Sequence, residues 1–156
     1  MSEPTARYEA LSVGGAAEVV TVPAVTLTLR AGVAGYAIAA GGRPLNEGSA
    51  LFSAEWLHQR GYAAQSLLGI RMPDDSMEPS LYEADVLTVD DRQIDPVDGL
   101  VFAVNYEGVC LIRRVARDHG AWWLMADNHL RFPRKQLVAP DALLIGRVVH
   151  VDSEVA

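Results

Sequence analysis

The run Leu100–Val115, LVFAVNYEGVCLIRRV, decides how the rest of the chain is read. Two apolar, β-branched stretches flank Glu107-Gly108, a pair of residues suited to a tight turn, so the run predicts a β-hairpin. The same grammar recurs on both sides of it. Leu67–Met72, Val86–Asp90, Trp122–Ala126 and Leu143–Val151 are short and apolar or β-branched. Turn chemistry separates them: Pro73-Asp74-Asp75, Asp95-Pro96 with Asp98-Gly99, and a second hairpin around Asp118–Gly120. Strands this short and this regularly spaced predict a mainly β fold, twisted and mostly antiparallel. One short helix is expected at Ser53–Arg60. Phe52, Trp56 and Leu57 mark its apolar face, Ser53 its N-cap and Gly61 its stop.

Upstream the pattern weakens. Val20–Leu29 reads as an extended segment interrupted at Pro23, and Ala31–Gly48, with five glycines, as a pliable loop or weak edge strand. The first twenty residues show no sustained period and read as a flexible arm or linker remnant. The 156 residues fit one ordinary domain, and half of them are hydrophobic, which argues against a disordered chain.

Charge excludes some functions. A formal charge of −7 repels phosphate, so this polypeptide alone is a poor non-specific nucleic-acid binder. The lone Cys110 can form neither an internal disulfide nor a cysteine metal site, which suits a reducing cytoplasm. The opening Ser2-Glu3-Pro4 does not read as a signal peptide, and without a run of eighteen apolar residues no membrane span is expected. No cofactor or metal is called for: His58, His119, His129 and His150 sit singly, without metal-ligand spacing. Twelve of the thirteen basic residues are arginine, and the single lysine is Lys135.

Ser76 follows a strand and the Pro73-Asp74-Asp75 turn and precedes Met77-Glu78-Pro79. A serine so placed can expose its hydroxyl beside backbone N–H groups able to hold an oxyanion. It can equally be an N-cap. The ordered segments Ile70–Asp90, Gly99–Val104, Gly108–Val115, Ala126-Asp127-Asn128 and Gly146–Val149 together resemble the LexA-like, S24-type self-cleaving peptidase domain. That domain is shared by LexA, by phage repressors of the lambda CI type and by the polymerase accessory protein UmuD.

The resemblance covers roughly Val25 to Val151 and implies a homodimerising β domain with a serine nucleophile, Ser76. It also implies a lysine general base on the strand after the central hairpin. The substrate would be an Ala-Gly bond of the same chain, here Ala40-Gly41 or Ala31-Gly32, and a RecA filament could promote the cut. On this reading residues 1–20 are the arm, 21–48 the extended segment with the cleavage-site loop, and 49–156 the peptidase-like dimerisation domain. Candidate interface residues are Leu143, Ile145, Val148 and Val149.

The lysine position falls on Arg113. Burial can bring a lysine pKa down to about 5–6, whereas arginine stays charged and accepts no proton. Losing a general base costs about 10²–10⁴ in rate. Asp74 stands where the family usually has glycine, and Ala84 where it usually has the glycine of Gly-Asp. Lys135 or a histidine is the alternative base. The expected function is therefore the regulatory and dimerisation domain of a LexA/CI-like repressor whose self-cleavage is weak or absent. DNA would be contacted only through a helix-turn-helix domain not present in this chain, and the chain would be a fragment of the longer repressor. The alternatives are an active self-cleaving serine endopeptidase of the RecA-promoted type and a UmuD-like polymerase accessory protein.

Overall fold

The computed structural model describes residues 9–13, 17–39 and 48–153. The protein is mainly β, with antiparallel strand pairs and one short α-helix. The central hairpin forms as the sequence predicts. β8 (Val101–Tyr106) pairs with β9 (Val109–Asp118), and Glu107 and Gly108 turn the chain with φ of 52° and 90°. Positive φ at both central residues is the primed turn that matches strand twist. His119 and Gly120 repeat it, with φ of 52° and 79°, into β10 (Ala121–Met125).

Around this pair a seven-stranded sheet assembles. β10 carries the two-residue β11 (Lys135–Gln136) on its outer edge. β8 is followed by β12 (Ala142–Asp152), then β7 (Val86–Asp90), then β6 (Leu67–Arg71). Alternation along these strands sends Leu68, Ile70, Leu87, Val89, Ala103, Ile112 and Ile145 into one core. Phe102, Val104, Val115 and Leu124 form a separate core.

β6 would be an open edge but the chain at Ala24 lies against it. Ala24 bridges Gly69 in parallel, and the Val25 amide donates to the Gly69 carbonyl at 2.9 Å. A Cβ at Gly69 would sit 2.5 Å from the Pro23 carbonyl oxygen, so this approach requires glycine. The flanking segments contain the two-stranded pair β3 (Leu27–Thr28) and β4 (Ala37–Ile38).

Residues expected to be a flexible arm are instead paired. β1 (Glu9–Val13) lies on β2 (Ala17–Pro23), and β2 on β5 (Ser49–Ser53), so one small sheet spans the expected boundaries at 20 and 48. Only the Val19–Val22 part of β2 advertises itself by composition; β1 takes its order from its neighbour. Helix α1 (Ala54–Arg60) follows, with Ser53 accepting the Trp56 amide at 3.0 Å and Gly61 left-handed at φ 77°. Phe52 is not on that helix but on β5, its ring stacked 5.3 Å from Trp56.

Ile145, expected at a dimer interface, is 3% exposed and packs in the first core, so its side chain has nothing to offer a partner. Lys135, the alternative base, is half-buried in β11, its ammonium 4.9 Å over the Tyr106 ring. Among the described residues no helix is long and apolar enough to cross a membrane.

Between β6 and β7 the chain makes the excursion that carries Ser76. Its neck is closed by two hydrogen bonds: the Met72 amide to the Asp85 carbonyl at 2.8 Å, and the Ala84 amide to the Met72 carbonyl at 2.9 Å. Met77 and Leu81, both buried, anchor it in the first core. Ala84 reaches the neck at φ 76°, where an L side chain is strained by about 1–2 kcal/mol. Ala84→Gly removes that strain but frees the unfolded chain. A net gain of about 0.5–1 kcal/mol is expected in urea unfolding; a loss of stability would show that the neck tolerates the alanine without strain.

Candidate functional site

Ser76 has no exposed surface and Arg113 is 3% exposed. Arg113 lies on β9 opposite Phe102, and from there its Nη1 donates to Ser76 Oγ at 2.9 Å and to the Ile112 carbonyl at 2.9 Å. Its Nε is buried without a hydrogen-bond partner, and its Cζ lies 5.6 Å from the Phe132 ring centroid. Among the described residues no carboxylate comes within 4 Å of it. Burial pulls the guanidinium below its ordinary value, and the Asp74 carboxylate pulls it part of the way back. Arginine starts so high that it remains charged.

The direction of the Ser76 contact matters. A guanidinium has five donors and no acceptor, so here the serine oxygen accepts. Its proton must point elsewhere, and among the described residues no amine or imidazole hydrogen-bonds it. Lys135 sits over Tyr106, His150 packs edge-on to Phe52 and lies 3.3 Å from Asp152, and His119 pairs with Asp118 at 2.8 Å. His58 is on α1 and His129 follows Asn128 in an exposed turn.

The backbone beside Ser76 is also spoken for. The Ser76 N–H donates to Asp74 Oδ1 at 3.0 Å, so it is not free to hold an oxyanion. Asp74 therefore closes a small side-chain turn over the serine amide. An oxyanion near Ser76 would have to displace this carboxylate or face it.

Residues from a second loop brace the serine, and these were visible in the sequence only as the Ala126-Asp127-Asn128 segment. The Asn128 amide donates to the Ser76 carbonyl at 2.9 Å, and its Nδ2 to the Asp75 carbonyl at 3.1 Å. Asp127 accepts two bonds from Arg114, at 3.0 and 2.7 Å, and a further one from the Ser80 hydroxyl. Arg114 holds the Asp127 carboxyl below the usual carboxylate range. Arg131 pairs with Asp75 at 2.7 Å. The serine excursion is thus strapped to β9 and to the turn after β10.

The two candidate scissile bonds fare differently. Ala40-Gly41 lies outside the described residues. Ala31-Gly32 sits in an exposed turn between β3 and β4, with Gly32 at φ 76°. That turn is bound to Asn105, three residues along β8 from Phe102, or about 10 Å of strand from the level of Arg113. The structure brings Ser76 and Arg113 together and holds Ala31-Gly32 apart from them. Of the remaining interface candidates, Leu143, Val148 and Val149 are partly buried on β12.

A groove of about 250 Å³ runs between the chain at Ala24–Leu27 and the end of β6, with Pro73 and Cys110 on its wall. Asp74 acts electrostatically on both Cys110 and Arg113, so the groove and the serine share one neighbourhood.

Ser76 is thus presented from a tight excursion between β6 and β7, against a cationic side chain on the adjoining hairpin of a mainly β domain. A family model described as Peptidase S24-like matches residues 24–149, most of the chain, and the chain belongs to that family of serine peptidases. No curated protein matches it.

Burial, with a smaller push from Asp74, raises the Cys110 thiol to about 11. The folded state therefore holds this proton more tightly than the unfolded chain. The stability it contributes is complete below the ordinary thiol range and is lost as pH rises towards 11. Iodoacetamide at pH about 8 should label Cys110 about 10²-fold more slowly than in the urea-unfolded chain. Equal rates would contradict the buried, carboxylate-flanked setting.

Proposed function

We propose that the chain is the regulatory and dimerisation domain of a LexA/CI-like transcriptional repressor, a member of the peptidase family with self-cleavage weak or absent. The observation that carries this reading is the 2.9 Å bond from Arg113 to the Ser76 oxygen. A general base must accept the hydroxyl proton as the oxygen attacks, and this partner is a permanently charged donor. Arg113 stands at the position the family resemblance gives to lysine. Lysine there would be desolvated enough to lose its proton and serve as base.

Two further features favour the inert reading. Asp74 occupies the Ser76 amide, and Ala31-Gly32 is bound elsewhere. Transition-state stabilisation depends on preorganised donors, so a carboxylate in that place works against it.

Dimerisation is supported by the edge of β12. Ala142–Arg147 pair with β8 on one side, but from Val148 to Asp152 that side meets no strand among the described residues. A groove of about 380 Å³, walled by Leu81, Leu100 and Val101, runs along this free edge. Unpaired strand edges invite pairing with another chain, and a two-fold pairing here would join two copies. Two copies would bring two helix-turn-helix domains, carried outside this chain, to the halves of a palindromic operator. A RecA filament would matter only to a cleavable relative, and the repressor would work in the cytoplasm.

Arg113→Lys is the decisive variant. Self-cleavage at one Ala-Gly bond is expected to appear, faster as pH rises through the buried lysine's range, and to vanish when Ser76→Ala is added. An Arg113→Lys protein that stays intact at every pH would mean that more than the base has been lost. Sedimentation equilibrium at micromolar concentration should give a dimer; a monomer would contradict the use assigned to the β12 edge.

A further inference from the structure

Asn105 is 1% exposed and sits near the end of β8, with both amide hydrogens and the amide oxygen of its side chain hydrogen-bonded. Its Nδ2 donates to the Arg30 carbonyl at 2.9 Å and to the Val33 carbonyl at 3.1 Å. Its Oδ1 accepts the Gly108 amide at 2.8 Å. One side chain therefore joins the β8–β9 turn to the two carbonyls that bracket Ala31-Gly32. The turn itself is slight: one backbone bond, the Val33 amide to the Arg30 carbonyl at 3.1 Å, and all four residues exposed. The arms on either side are anchored independently. Leu27, Leu29, Tyr36 and Ile38 pack on the first core, and the Tyr36 hydroxyl donates to Asp91 at 2.7 Å.

We propose that Asn105 is a latch that positions the Arg30–Val33 turn at the far end of the central hairpin and withholds Ala31-Gly32 from Ser76. A strand interior is an uncommon place for a buried amide, because an unpaired one is costly. Its pairing with two carbonyls 72 and 75 residues away gives it a specific task. With both donors removed, the two carbonyls turn to water at little cost, because the turn is exposed. The tip between the anchored arms is then free to move while the sheet stays closed. The withholding of Ala31-Gly32 rests on the cleavage-site reading of that dipeptide; the latch does not.

Trypsin separates the two, because Arg30-Ala31 is itself a tryptic bond and Arg71-Met72, inside the sheet, reports global opening. In Asn105→Ala and the bulkier Asn105→Leu, cleavage after Arg30 under native conditions should rise about tenfold or more, as loss of two hydrogen bonds implies for a local opening. Cleavage after Arg71 should rise only as far as urea unfolding of the same variant dictates. An unchanged rate after Arg30 in a folded variant, or a rise that merely tracks the rate after Arg71, overturns the latch. The same substitutions are then placed in Arg113→Lys. Faster self-cutting at Ala31-Gly32 supports the withholding role. A faster tryptic cut with no faster self-cutting at that dipeptide leaves the latch standing and overturns the withholding role.

Discussion

A single hydrogen bond with a fixed direction governs the site. Because Arg113 can only donate, the Ser76 oxygen is held as an acceptor, and what the serine can do follows from that. The register of the central hairpin puts Arg113 opposite Phe102, and the excursion between β6 and β7 brings Ser76 down onto it. A one-residue slip of β9 would turn the guanidinium to the other face of the sheet, and a slip in the excursion would carry Ser76 away from it. The contact is thus a product of the whole fold.

The contact comes at a cost. A buried guanidinium with no carboxylate within 4 Å among the described residues, and with its Nε unpartnered, is a destabilising arrangement that burial alone would not select. It is held by what surrounds it: two oxygen acceptors, the face of Phe132, and Asp74 acting at longer range. The straps from Asp127 and Asn128 keep the serine excursion in place independently of any chemistry. The serine is held in a braced frame whose buried cationic neighbour donates to it and cannot take its proton.

The sheet was legible where side chains alternate around a turn with its own chemistry. Glu107-Gly108 and His119-Gly120 marked both hairpins, and Val86–Asp90 is a strand at the boundaries expected. Ser53 and Gly61 marked the helix ends, because a cap and a left-handed stop are local devices. What escaped was ordered from a distance. β1 and β5 pair with β2 without strong patterns of their own, and Ile145 looked like surface because a strand buried on both sides carries no polar face to reveal it. Within the site, Ser76 and Arg113 were both singled out by their place in the sequence, and the structure puts them in contact. The roles of Asn105 and Asp127 were not legible, since a single polar residue does not announce partners tens of residues away.

Intact-mass spectrometry of the unaltered chain tests the lack of a proton acceptor most directly. The protein would be held for days at neutral pH and near pH 10, close to the ordinary lysine pKa of about 10.4. One undiminished mass is predicted at both. Two fragments whose masses sum to the parent plus one water, formed by this chain and not by Ser76→Ala, would contradict it.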